Sequence, residues 1–160
     1  MNTEAEMDKI TEMYGVVYTS GTFDLFHRNH LELLKRAKSL ASYLVVGVST
    51  DELVCQYKKP PSIPFEERIA IIDAIKYVDC AIPQHSLNHN ELVKKLNIEC
   101  FVVGDDWYGK YDYLREYCDV KYFPYGKGVS TSKLREVIAK NYEELRDNVD
   151  QHGNPDPKSL

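Results

Sequence analysis

Gly21-Thr22-Phe23-Asp24-Leu25-Phe26-His27-Arg28-Asn29-His30 is the stretch that decides the fold, because it stands where a strand hands over to a helix and carries two histidines three residues apart. Residues 15–20 before it (Gly-Val-Val-Tyr-Thr-Ser) are apolar and β-branched, while Leu31, Leu33, Leu34, Ala37 and Leu40 after it keep helical spacing. His30 begins that stripe. Extending the buried face backward through Leu34 and Leu33 to His30 and on to His27 places both imidazoles on the sheet side of the helix, at its N-terminal mouth. Unpaired N–H groups and the positive end of the helix dipole favour an anion there, so the junction is a place to hold phosphate.

Outward from this junction, further strands are predicted at residues 43–49, 79–83, 100–104 and 120–123. Helices are predicted over residues 30–40, 51–56, 65–75, 90–96 and from 130 to about 145, the last with Leu134, Val137, Ile138, Tyr142 and Leu145 on one stripe. Strands alternating with helices in this way predict an α/β domain, with a parallel five-stranded sheet and helices on both faces. Residues 57–64 (Tyr-Lys-Lys-Pro-Pro-Ser-Ile-Pro) resist regular structure and burial, and are expected to form a mobile loop or lid. The domain is expected over residues 14–145, between flexible segments at 1–13 and 146–160.

The chain has 160 residues, 43% of them hydrophobic and 28% charged, which fits one soluble domain with its own core. Its net charge of −5 argues against a nucleic-acid surface, so any polyanion must meet a local cationic pocket. The first thirteen residues carry Glu4, Glu6, Asp8 and Glu12 and lack the apolar core of a signal peptide. No stretch is long and apolar enough to suggest a membrane partner. Cys55, Cys80, Cys100 and Cys118 form no Cys-x-x-Cys pair, so zinc is unsupported and reduced thiols in a cytoplasmic protein are expected. His85 and His89, in a polar stretch, are read as surface residues.

In a parallel sheet, ligands gather beyond the carboxyl ends of the strands, near the point where strand order reverses. The informative turns all fall on that edge: the histidine pair, Ser49-Thr50-Asp51-Glu52, Gly104-Asp105-Asp106-Trp107, and Gly126-Lys127-Gly128-Val129-Ser130-Thr131-Ser132. The last combines glycines with N-cap hydroxyls and makes a second phosphate seat. Lys58, Lys59, Arg68 and Lys127 supply local cations. Two anion seats suit a polyphosphate, yet neither a P-loop nor a Gly-x-Gly-x-x-Gly after the first strand occurs, and there is no serine elbow. A phosphomonoester attacking the α-phosphorus of a nucleoside triphosphate needs no protein base, because its nucleophile is already charged.

Gly21-Thr22-Phe23-Asp24 with His27 and His30, Glu67-Arg68, Tyr77-Val78-Asp79, Gly104-Asp105-Asp106-Trp107 and Gly128-Val129-Ser130-Thr131-Ser132 together resemble the cytidylyltransferases, in this order from about residue 14 to residue 137. The resemblance implies a Rossmann-like nucleotidyltransferase fold. It also implies a homodimer that couples CTP to a small alcohol phosphate, glycerol 3-phosphate foremost, and releases pyrophosphate with Mg²⁺ as cofactor. By position, it makes His27, His30 and Lys59, or its neighbour Lys58, catalytic. It assigns Gly21, Thr22, Phe23, Asp24, Asp105, Lys127, Gly128, Ser130 and Thr131 with them to the nucleotide, and Arg68 and Trp107 to the acceptor.

Two positions depart from the family pattern. Its His-x-Gly-His has Asn29 in place of glycine, which adds a side chain where backbone and nucleotide approach closely. Its Arg-Thr-Glu-Gly-Ile-Ser-Thr reads Tyr125-Gly126-Lys127-Gly128-Val129-Ser130-Thr131, so a lysine at a shifted position stands in for a guanidinium fork. The alternatives are a related transferase with another acceptor or nucleotide (choline-phosphate, ethanolamine-phosphate or flavin-type), or a nucleotide-binding module whose turnover is impaired through Asn29 and Tyr125.

Overall fold

The computed structural model of the chain describes residues 13–124 and 128–152. In chain order they form β1 (Tyr14–Gly21), α1 (Arg28–Ser39), β2 (Ala41–Ser49), α2 (Asp51–Cys55), α3 (Phe65–Asp73), β3 (Cys80–Gln84), α4 (Asn90–Lys95) and β4 (Cys100–Gly104). Two 3-10 turns (Asp105–Trp107 and Asp112–Glu116), β5 (Asp119–Phe123) and α5 (Thr131–His152) follow. The strands lie in the order β3-β2-β1-β4-β5, and all four neighbouring pairs are parallel. The predicted elements are all present, with ends displaced by a few residues.

Side-chain alternation along the strands builds a core on each face. On one side Val17, Leu44, Val46, Val48, Cys100 and Val102 pack under Leu34 and Ala37 of α1 and Ile72 of α3. On the other, Tyr18, Val45, Phe101, Val103 and Val120 pack under Val93 of α4 and Leu114 of the second 3-10 turn. Burial on both faces explains why β2 reads as the nearly unbroken apolar run Leu44-Val45-Val46-Gly47-Val48. Glycine is required within that run, since a β-carbon at position 47 would collide with the Tyr18 hydroxyl.

His89 is not a surface residue, and α5 does not end near residue 145. His89 is 1% exposed. It lies against the rings of Tyr18, Phe101 and Tyr111 at centroid distances of 5.4, 5.1 and 5.5 Å, and burial pushes its pKa down to about 4. Only His85 of that pair is a surface residue. α5 runs past residue 145 to His152, because the sequence offers no helix breaker before Gly153. Val137, Ile138, Tyr142 and Leu145 of its stripe are exposed. The flexible segments expected at the two ends fall largely on residues 1–12 and 153–160, outside the described residues.

Candidate active site

A cleft of about 360 Å³ opens at the carboxyl edge of the sheet, between β1 and β4, where strand order reverses. Its floor is made by strand ends: Ser20 and Gly21 of β1, Ser49 of β2, Gln84 of β3, and Val103 and Gly104 of β4. Next to it a recess of about 250 Å³ is bounded by His27, His30, Asp106, Val129, Ser130 and Thr131. The N-termini of α1 and α5 thus face one hollow, as the two predicted anion seats require.

The turn between β1 and α1 is tight enough to force Phe23 (φ 55°) and Leu25 (φ 49°) into the left-handed region, at a cost of about 1–3 kcal/mol each. Surrounding bonds hold it there. The buried Asp24 carboxylate accepts the backbone N–H groups of Ser62 (2.8 Å) and Ile63 (2.9 Å) and pairs with Arg135, while its carbonyl accepts the Thr131 hydroxyl (2.9 Å). Burial alone would raise the Asp24 pKa, but the two backbone donors and Arg135 outweigh it and hold the carboxyl below its ordinary value. Asp24 therefore shapes the site by joining the β1 turn, the proline loop and α5.

His27 is the N-cap of α1 rather than part of it, and its ring stacks on that of His30 at 3.8 Å. The pair forms a capping box in which each Nδ1 accepts a backbone N–H: His27 Nδ1 from Asn29 (3.2 Å), His30 Nδ1 from His27 (3.3 Å). An accepting Nδ1 carries no proton, so in each neutral ring the proton sits on Nε2, which is left to donate to a ligand. Burial, then the His27 charge, pushes the His30 pKa down to about 3, and burial lowers that of His27. Both rings are neutral hydrogen-bond donors at neutral pH. Phe23 and Phe26, at centroid distances of 5.5 Å each, fix the His30 ring.

Across the recess, Gly128 turns the chain into α5 with φ 102°, a value that favours glycine. Ser130 then caps the helix, its hydroxyl accepting the Lys133 N–H (3.2 Å). Thr131 borders both hollows. Lys58 lines the cleft, with its pKa lowered by burial and then by the Arg135 charge. Asp106 stands on the wall shared by the two hollows, its pKa raised by burial and by neighbouring Asp105. At the far end Tyr57, Trp107 and Tyr111 give an aromatic lining suited to a flat ring.

Gly21, Thr22, Phe23, Asp24, His30, Thr131 and Trp107 meet at the cleft, and His27 and Ser130 at the recess beside it. Other assigned residues do not. Arg68 is turned inward: it is 1% exposed, and its guanidinium bonds the carbonyls of Ile63 (2.8 Å), Thr22 (2.7 Å) and Ser49 (2.8 Å) and the Asp51 carboxylate (2.7 Å). It clamps three chain turns beneath the site. Lys59 is exposed and does not line the cleft, whereas Lys58 does. Asp105 is exposed, and it is Asp106 that reaches both hollows. Lys127 and Tyr125 lie outside the described residues. Arg135 was missed by sequence reading; the signal was a buried Asp24 in need of a cation, one helical turn from Thr131.

The chain is 46% identical over 124 residues to glycerol-3-phosphate cytidylyltransferase of Bacillus subtilis, covering 77% of this chain and 96% of that protein. It is 39% identical to the enzyme of the same name from Staphylococcus aureus, covering 76% and 93%. A crystal structure of a lipopolysaccharide core biosynthesis protein from Thermoplasma volcanium superposes with a TM-score of 0.62 at 27% identity, over 72% of this chain and 98% of that one. With a family model described as cytidylyltransferase-like matching residues 18–137, on a doubly wound parallel sheet with paired histidines at its switch point, the chain belongs to the cytidylyltransferase-like family of nucleotidyltransferase enzymes.

Proposed function

We propose that the protein transfers CMP from CTP to glycerol 3-phosphate and releases pyrophosphate. The observation that carries this is the recess between the N-termini of α1 and α5, where the stacked His27–His30 pair stands opposite Ser130 and Thr131. The triphosphate lies across this recess, and the cytosine ring takes the aromatic end beside Trp107 and Tyr111. An oxygen of the acceptor phosphate forms a bond to the α-phosphorus as the bond from that phosphorus to the bridging oxygen of pyrophosphate breaks. No proton need be abstracted from a phosphate dianion. The chain's task is alignment and dispersal of negative charge.

Each group acts through its surroundings. Neutral His27 and His30 offer Nε2–H donors whose partners on Nδ1 hold the rings in place, so little reorganisation accompanies the charge that develops on the phosphoryl oxygens. Lys58 brings a cation from the proline loop, and a bound polyphosphate would offset the burial and the Arg135 charge that lower its pKa. Mg²⁺ fits this donor set as a companion of the outer phosphates rather than a caged ion. Among the described residues no group of three or more His, Cys, Asp or Glu side chains could hold a metal, and Asp106 offers one carboxylate on the wall. When bound, it would draw charge from the leaving pyrophosphate.

The alternative of a binding module disabled by Asn29 is disfavoured by the direction of that side chain, whose amide bonds the Val129 carbonyl and does not line the main cleft. We further propose a cytoplasmic homodimer; the free thiols of Cys55, Cys80, Cys100 and Cys118 support the compartment, and the exposed apolar side chains of α5 offer a face for a second copy to cover. Pyrophosphate release from CTP, ATP, GTP and UTP with glycerol 3-phosphate, phosphocholine or phosphoethanolamine tests the transfer. CTP with glycerol 3-phosphate is expected to give the fastest release. Equal rates without an acceptor, or a clear preference for another pair, would overturn the assignment.

A further inference from the structure

Asn29 joins the two helix N-termini that frame the recess. Its backbone N–H donates to His27 Nδ1 in the first turn of α1, while its side-chain Nδ2 donates to the Val129 carbonyl at 2.5 Å, between residues 100 apart in sequence. Val129 stands between the left-handed Gly128 and Ser130, the residue that caps α5. Two other ties dock α5 on the β1 turn, the Thr131 hydroxyl on the Asp24 carbonyl and Arg135 on the Asp24 carboxylate, and both start from within the helix. The Asn29 amide reaches the segment leading into it.

We propose that Asn29 is a positioning residue for the nucleotide triphosphate: its amide latches the 128–130 segment at a fixed distance from His27 and His30, so that both walls of the phosphate seat are set before the nucleotide arrives. The proposal rests on the reading of this recess as the triphosphate site. Chemistry dictates the residue type. The latch needs an N–H donor facing a carbonyl, which glycine and alanine lack and aspartate replaces with an opposing acceptor. The latch also explains how a side chain is accommodated at this position, since it is turned toward α5 and bonded there.

The test uses the full-length protein with Asn29→Ala and Asn29→Asp. Hydrogen exchange without nucleotide is read over residues 128–136, where Lys133 and Leu134 donate to Ser130. Loss of one hydrogen bond should speed exchange there about 3- to 10-fold, without change in the β1–β4 core. Calorimetry should then show CTP affinity falling about 3- to 10-fold in Asn29→Ala and further in Asn29→Asp, with CMP affinity within about twofold of wild type. In turnover, KM for CTP rises while kcat is largely kept. Unchanged exchange over 128–136 overturns the latch, because a residue that only touched phosphate would leave the empty protein alone. Equal or tighter CTP binding in Asn29→Ala overturns the positioning role. Failure of the wild-type protein to bind CTP would instead sink the functional assignment, and the exchange experiment would still decide the latch.

Discussion

Replacing Arg68 separates a structural clamp from an acceptor-binding cation. Its guanidinium is wholly buried and supplies four hydrogen bonds of 2.7–2.8 Å, to three backbone carbonyls at the ends of β1, β2 and the proline loop and to Asp51. An ammonium in Arg68→Lys lacks the planar fork, so at least one or two of those carbonyls lose their donor inside the protein. At about 1–3 kcal/mol for each buried group left unpaired, the loss is about 2–3 kcal/mol; Arg68→Met, which removes every donor, should cost about 3–5 kcal/mol. For a chain of 160 residues, the smaller loss lowers the melting midpoint by about 4–12 °C. Urea titration followed by circular dichroism gives the free energy, and steady-state kinetics at a temperature where the variant stays folded gives the rest. The variant is expected to melt early while KM for glycerol 3-phosphate changes little. An unshifted midpoint with a large rise in that KM would refute the clamp.

His30→Asn removes the Nε2 donor, so kcat should fall at least about 100-fold with the secondary structure retained; a rate within threefold of wild type would count against the histidine pair. Lys58→Ala should lower kcat/KM for CTP by about 10-fold or more and Lys59→Ala by less than about threefold, since only Lys58 borders the cleft; the reverse order, measured by pyrophosphate release, would show that the loop closes differently around nucleotide. Stability should fall on acidification, because His30 and His89 have folded pKa values of about 3 and about 4, below the ordinary 6.5. Below about pH 6.5 the unfolded chain takes up protons that the folded chain refuses, so about 4–5 kcal/mol should be lost between pH 7 and pH 4.5 in urea titrations, and a flat profile there would contradict the burial of both rings.

Most of the architecture was legible because it rests on apolar pattern: the continuous apolar runs of β1, β2 and β4 and the Leu34–Ala37 stripe of α1 leave few other ways to bury these residues. Half of the site was legible for the same reason, since strand-to-helix turns of a parallel sheet must converge at one edge. What escaped was decided by side-chain direction. Adjacent Lys58 and Lys59, or Asp105 and Asp106, differ only in which side of an irregular turn they occupy, and no period governs such a turn. Arg68 stands near the cleft in sequence logic, yet its charge is consumed by carbonyls that strand ends leave unpaired. His89 looked polar by its neighbours in sequence but is enclosed by rings from β1, β4 and the 105–117 segment, contacts set by tertiary packing alone.

The orientation of the paired imidazoles is the point on which the mechanism turns, and nitrogen-15 NMR of the histidine side chains reads it directly. In the nucleotide-free protein at pH 7, His27 and His30 should both show an unprotonated Nδ1 and a protonated Nε2, as their capping bonds require. On addition of CTP the Nε2 resonances of these two rings should shift while those of exposed His85 stay in place. Protonated Nδ1 in either ring, or a spectrum in which saturating CTP moves neither Nε2, would contradict the account.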